Sequence, residues 1–214
     1  MIFDYFDGAF YLNLDKRPER KEAFERRIKE IGIEVERFSA LELKEEDVAN
    51  PFNENDWHIK LSCTHSHFEM IKEAKKRGWK NCVIFEDDCV FANGFIEKIK
   101  LCVEELKTLD WDIFYLGGEP DNPCEPISDN ISKCPQGLYG THAYVINESF
   151  YDNILSLNYN YGIIDTIYKA IGHNKYYMSK ELLAWQDDEF VSDLWRQKIN
   201  REKIYQDTYK TFVI

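Results

Sequence analysis

No stretch of this 214-residue chain stays apolar long enough to span a bilayer, which takes about 20 consecutive residues. The first residues do not run from charged to apolar as a secretory signal does. Positive charge is short too. Lys and Arg number 27 against 39 Asp and Glu, a net charge of −12, so nucleic acid is excluded as the main partner. An anionic ligand then needs a local basic or metal-bearing site. G-x-G-x-x-G and G-x-x-x-x-G-K are both absent, which removes the main support for dinucleotide-binding and P-loop readings. The six cysteines form no C-x-x-C pair. Cys63, Cys82, Cys89 and Cys102 fall in segments with helix or strand character, where a free cysteine acts as a small apolar residue. Cys124 and Cys134 flank a loop and are able to pair under oxidising conditions, though nothing in the sequence demands it. The expected compartment is a reducing cytoplasm. Internal repeats and low-complexity tracts are absent as well.

What the chain does have is a core. Hydrophobic residues make up 44% and aromatics 15%, ample for one packed domain over 1–214. Its most informative stretch is Cys82-Val83-Ile84-Phe85-Glu86-Asp87-Asp88, an apolar run that stops at three carboxylates. This reads as a buried strand delivering acids to the rim of a sheet. Adjacent carboxylates repel, so the cluster implies a cation. Alternation along a strand puts Glu86 and Asp88 on one side, a donor pair suited to Mg²⁺ or Mn²⁺.

Around it, strands and helices alternate. Residues 9–14 read as a first strand, and a helix follows with Pro18 in its first turn and Gly32 past its end. Residues 35–40 form a second strand, and 49–60 read as loop. A helix over 62–77 precedes the acid-tipped strand, and Asn93 caps the next helix. A strand at 112–116 ends at Gly117-Gly118. Residues 119–137 have no apolar periodicity and read as a mobile loop. A strand at 141–146, a helix from Asn147 to Leu157, a short helix from Asp165 and strand character over 176–185 lead to a charged tail, 192–214. The alternation predicts an α/β sandwich around a mainly parallel sheet. Ligands then bind at the carboxyl ends of its strands.

Two further clusters carry chemical groups. Asn13, Asp15, Arg17 and Arg20 lie just past the first strand, where free backbone N–H groups and arginines favour a diphosphate or simply make a polar helix start. In Cys63-Thr64-His65-Ser66-His67, helical spacing places Cys63 and His67 on the core-facing side. Zinc needs four converging ligands of familiar spacing, which are missing here. His67 reads first as a hydrogen-bonded core histidine and second as a residue bordering a site.

Taken together, Phe10-Tyr11-Leu12-Asn13-Leu14-Asp15-Lys16-Arg17-Pro18-Glu19-Arg20, Cys63-Thr64-His65-Ser66-His67 and Phe85-Glu86-Asp87-Asp88-Cys89 resemble glycosyltransferase family 25, which includes lipooligosaccharide and collagen galactosyltransferases. Gly140-Thr141-His142-Ala143-Tyr144-Val145-Ile146, Ile164-Asp165 and Trp185-Gln186 continue the pattern in the family's order. The resemblance implies a GT-A glycosyltransferase fold, with a Rossmann-like, mainly parallel sheet flanked by helices. It also implies Mn²⁺ (or Mg²⁺), a UDP-sugar donor carrying galactose or glucose, and transfer with inversion to a glycan or hydroxylysine acceptor. In that scheme Asp88 is the direct metal ligand, and Glu86 and Gln186 are further ligands, with His173 as another candidate. Glu86 or Asp87 otherwise holds ribose or a water. Asn13, Leu14, Arg17 and Arg20 bind the donor. Asp165 is the expected base, with Asp187 and Asp188 in reserve. Ser62-Cys63-Thr64-His65 and His142 depart from the family's usual residues, which leaves the donated sugar open. The 119–137 loop has the length of a lid over the acceptor. Two other readings are a non-catalytic nucleotide-sugar or glycan-binding relative and a sugar-nucleotide nucleotidyltransferase. The latter wants a glycine-rich N-terminal loop that residues 13–20 lack.

Overall fold

The computed structural model describes residues 5–158, 160, 162–171, 175–187 and 201–213. Strand β1 (Gly8–Asn13) leads into helix α1 (Pro18–Ile31), and β2 (Glu36–Ser39) follows. Pro18 starts α1, where its missing N–H costs nothing, and Gly32 ends it at φ 74°, a conformation open to a residue without Cβ. Helix α2 spans Trp57–Lys76, so it begins five residues before the expected start at Ser62. Asp56 precedes it in the left-handed conformation, with no side-chain cap, which explains why no start signal is visible there.

Strand β3 (Asn81–Glu86) is followed by a turn at Asp87-Asp88 and by β4 (Cys89–Phe91). Helix α3 (Phe95–Leu106) is capped by Gly94 with φ 70°, one residue past the expected Asn93. Strand β5 (Ile113–Tyr115) comes next. Residues 119–137 depart from the expected irregular loop. They contain β6 (Glu125–Pro126) and β7 (Ile131–Lys133), and Cys124 and Cys134 form a disulfide across them with Cα atoms 4.8 Å apart. Ile131, Cys134 and Leu138 are buried; their spacing of three and four residues imitates a helix and gives no strand alternation to read.

Strand β8 (Ala143–Asn147) runs into α4 (Glu148–Leu155), whose cap is the Asn147 side chain accepting from Ser149 N. Helix α5 (Ile164–Ile171), β9 (Tyr176–Ser179), β10 (Ala184–Gln186) and α6 (Arg201–Phe212) complete the order. His173, Asp188 and the start of the 192–214 tail lie outside the described residues.

Eight strands form one sheet in the order β2-β1-β3-β8-β5-β9-β7-β6. β1 is parallel to β2 and β3, and β5 to β9, while β8 runs against both β3 and β5. β2, β1, β3, β5 and β9 therefore share one direction, as the mainly parallel expectation requires. β10 pairs with β4 as a separate two-stranded ribbon.

Because both faces of the sheet are covered, its strands alternate between two cores instead of between core and water. Val83, Phe85, Phe114 and Val145 pack with Phe24, Phe95 and Ile99 of α1 and α3. Phe10, Ile84, Ile113 and Tyr144 pack on the other face with Phe68, Ile71, Ile154 and Tyr168 of α2, α4 and α5. Each such side chain stabilises the fold by about 1.5–3 kcal/mol, and together they fix where β3 ends. Gly117 lies where the Ala184 carbonyl would come within 1.8 Å of any Cβ; this close approach seats the β10 ribbon beside the β3 turn.

Candidate active site

The carboxyl ends of β1 and β3 and the first turns of α1 and α2 enclose a cavity of about 410 Å³. Its wall includes Asn13, Leu14, Arg17, Arg20, Glu86 and Asp87, the six residues expected to hold the donor. Asp88, Gln186 and Asp165 are not among its wall residues.

The three acids do not share one side. Alternation stops at Glu86 because the chain turns at the next two residues. Asp87 and Asp88 converge instead on one guanidinium: Arg20 Nη2 lies 2.5 Å from Asp87 Oδ1 and 2.9 Å from Asp88 Oδ2. All three are buried, Arg20 being only 6% exposed. Arg20 is thus no exposed residue of a helix start. It supplies much of the cation that the acidic cluster demands. Asn13 Nδ2 donates to Asp87 Oδ2 at 2.7 Å and to the Arg17 carbonyl at 3.2 Å, while Asn13 Oδ1 accepts from Arg37 Nε at 2.9 Å. Asn13 therefore orients Asp87 and closes the β1–α1 junction. Arg17, on the cavity wall, pairs with Glu19 at 2.6 Å.

Glu86 turns the other way. Its Oε1 accepts from Thr141 Oγ1 at 3.1 Å and faces His67 Nε2 at 3.5 Å. Gln186 approaches Asp88 through its amide nitrogen, 3.4 Å from Oδ2, and its oxygen accepts from Tyr205 OH at 3.0 Å. Asp187 is held by Arg27, and its N–H donates to the Asp88 carbonyl at 2.7 Å.

Asp165 sits in the first turn of α5 and is not its cap. Its Oδ1 accepts from Thr166 N at 2.8 Å, and its Oδ2 from Gly140 N at 3.5 Å. Burial, with the Glu86 charge adding to it, holds its carboxyl above the ordinary aspartate range. Cys63, half-buried on the cavity wall, feels Glu86, Asp165, Asp88 and Asp87 together. Burial first and then those charges push its thiol well above its usual range, so it is no thiolate nucleophile.

Some residues that shape the site were given no role of their own from the sequence. Ser62 and Ser66, four apart on α2, accept from Leu43 N and Leu41 N, each at 2.9 Å. They bind the 41–43 segment to the helix and so shape the cavity mouth. Two hydroxyls at helical spacing on a buried face were the available signal. Tyr205, which meets Gln186, gave no signal because it lies far along the chain in a charged segment.

The oxygen donors at the β3 turn, two buried carboxylates held by one guanidinium, leave the pair anionic and suit a hard divalent cation. The donor chemistry of these residues fits Mn²⁺ or Mg²⁺.

Residues 6–181 match the family model described as glycosyltransferase family 25 (LPS biosynthesis protein). The chain belongs to glycosyltransferase family 25. It is 29% identical over 142 residues to procollagen galactosyltransferase 1-A of Xenopus laevis, covering 57% of this chain and 23% of that protein. A glycosyltransferase 25 family member of Drosophila melanogaster is 29% identical over 161 residues, covering 66% and 26%. An inactive glycosyltransferase 25 family member 3 of Mus musculus is 26% identical over 140 residues, covering 58% and 24%. The chain thus spans about a quarter of the length of these curated relatives. Among solved structures, a glycosyltransferase involved in glycosylation of the major capsid of PBCV-1 superposes at TM-score 0.43 and 11% identity, covering 96% of this chain and 92% of that one.

Proposed function

We propose that this chain transfers a hexose, galactose or glucose, from a UDP-sugar to a hydroxyl of a glycan or hydroxylysine acceptor, with inversion at the anomeric carbon. The observation that carries this reading is the 410 Å³ cavity at the carboxyl ends of β1 and β3, with Lys16, Arg17 and Arg20 on its wall in a protein of net charge −12. The same wall carries Glu42, Glu86 and Asp87, so a diphosphate at that place in an α/β sheet meets local cations but needs a metal to offset the acids. The apolar wall from Leu41 and Leu43 suits a nucleoside.

Asp88, steadied by Arg20, is the direct ligand for Mn²⁺ or Mg²⁺. Asp87, held by Asn13, is the second. Glu86, turned toward His67 of α2, stays out of that shell. The bound cation supplies charge neutralisation to the departing diphosphate. Arg17 orients the diphosphate from the other side.

Asp165 takes the proton of the acceptor hydroxyl as that oxygen attacks the anomeric carbon. One C–O bond forms as the bond between sugar and diphosphate breaks. A carboxyl with raised proton affinity is better matched to this task than an ordinary one.

Calorimetry tests the donor site. UDP binding is expected to require Mn²⁺ and to weaken together with Mn²⁺ binding in Asp88→Ala. Unchanged Mn²⁺-dependent UDP affinity in that variant sinks the assignment.

A further inference from the structure

Cys63, His67 and Glu86 are used by the transfer reading only at its margin, yet they converge. One ligand atom from each lies within 4.8 Å of the others. Cys63 and His67 are four residues apart on α2, so their side chains stack on one face of the helix. Glu86 meets them from the end of β3.

The geometry assigns His67 a definite job. It is fully buried. Its Nδ1 lies 3.0 Å from Tyr144 OH, which lies 3.0 Å from Tyr168 OH. In the tautomer with Nδ1–H donating to that hydroxyl, the lone pair of Nε2 points at the Glu86 carboxylate; with the proton on Nε2 the ring donates toward Glu86 instead. Nε2 makes no hydrogen bond of its own and stands 3.5 Å from Glu86 Oε1. Two lone pairs facing each other in a buried place repel, and a cation between them removes the repulsion. A hydroxyl fixing the distal nitrogen of a histidine is also how metal-bound imidazoles are oriented.

We propose that Cys63, His67 and Glu86 form a three-ligand site for a thiophilic divalent cation, Zn²⁺ foremost, with its fourth position open to the cavity. Ligands in a tetrahedral zinc site stand roughly 3.3–3.8 Å apart, given bonds of about 2.0–2.3 Å. The His67–Glu86 separation meets that, and the sulfur needs to close by up to about 1–1.5 Å. Sulfur, imidazole and carboxylate together prefer Zn²⁺ over Mn²⁺ or Mg²⁺. The carboxylates that disfavour a bare thiolate here favour a dication, so the metal reverses the local balance. On binding, the Cys63 thiol gives its proton to solvent and its sulfur bonds the metal. The site is separate from the Asp87–Asp88 pair, and its test needs no nucleotide sugar.

Titrating the purified full chain with Co²⁺ reads the site directly. One equivalent is expected to produce a thiolate-to-cobalt charge-transfer band and the strong visible bands of a tetrahedral ion, both erased by Zn²⁺. The charge-transfer band is expected to vanish in Cys63→Ser and to persist in Asp88→Asn. Tyr144→Phe is expected to lower affinity about tenfold to a hundredfold. A second readout needs no variant: Zn²⁺, unlike Mn²⁺, is expected to slow alkylation of Cys63 in the wild-type protein, followed by peptide mass spectrometry. A wild-type chain with no charge-transfer band, a band unchanged in Cys63→Ser, or Zn²⁺ that leaves the Cys63 alkylation rate unaltered overturns the proposal.

Discussion

At the residue scale, two arginines one turn apart do different work. Arg20 is buried against Asp87 and Asp88, and removing one partner of a buried ionic cluster costs about 3–5 kcal/mol. Arg20→Ala is therefore expected to unfold at markedly lower denaturant concentration. Arg17 lines the cavity and pairs with a half-exposed Glu19. Arg17→Ala is expected to stay within about 0.5 kcal/mol of wild type while raising the donor KM. Equal stability losses in the two variants contradict this division. For Asp165, substitution by Asn preserves shape and the acceptor oxygen for Thr166 N, so only proton transfer is lost. Asp165→Asn is expected to lower kcat about a hundredfold or more and to spare UDP affinity. Its folded-state pKa is raised, so the acid limb of wild-type kcat/KM is expected above the ordinary aspartate range, with activity falling as the carboxylate takes up its proton. An acid limb at the ordinary value removes Asp165 from the role.

At the scale of elements, much of the site was legible in the chain. A run of Val83-Ile84-Phe85 flanked by acids announced where β3 ends, since strands buried on both faces are apolar throughout. Pro18 and Gly32 bracketed α1, and Asn13 to Arg20 marked the junction that forms the cavity wall. What could not be read depends on partners remote in sequence. The turn at Asp87-Asp88, and with it the regrouping of the acids, answers to Arg20 on a different helix. The hairpin within 119–137 is organised by a disulfide and by pairing of β7 with β9, for which no local strand alternation exists. That cross-link closes a loop of 10 residues, and the chain-entropy estimate for such a loop is about 2.5–3 kcal/mol. Reduction, or Cys124→Ala with Cys134→Ala, is expected to lower stability by about that amount and to loosen β6 and β7 in hydrogen exchange. Unaltered stability on reduction shows that the apolar anchors alone hold the segment.

At the scale of the whole molecule, the sheet brings the β1 junction, the β3 turn and α5 together on one side. Glu86 and Asp87 thereby stand on the cavity wall. A strongly acidic chain that gathers Lys16, Arg17 and Arg20 at one cavity and holds Asp165 above the ordinary aspartate range suits the proposed anionic donor and neutral acceptor. No helix among the described residues is long and apolar enough to cross a membrane. The measurement that tests the account most directly is release of UDP from a panel of UDP-sugars in the presence of Mn²⁺ and a glycan or hydroxylysine acceptor. Release from UDP-galactose or UDP-glucose that stops on chelation, and that Asp165→Asn loses while still binding UDP, is the expected result. Wild-type protein that binds UDP tightly with Mn²⁺ yet releases none from any donor and acceptor tried contradicts the transfer reading and leaves a binding protein in its place.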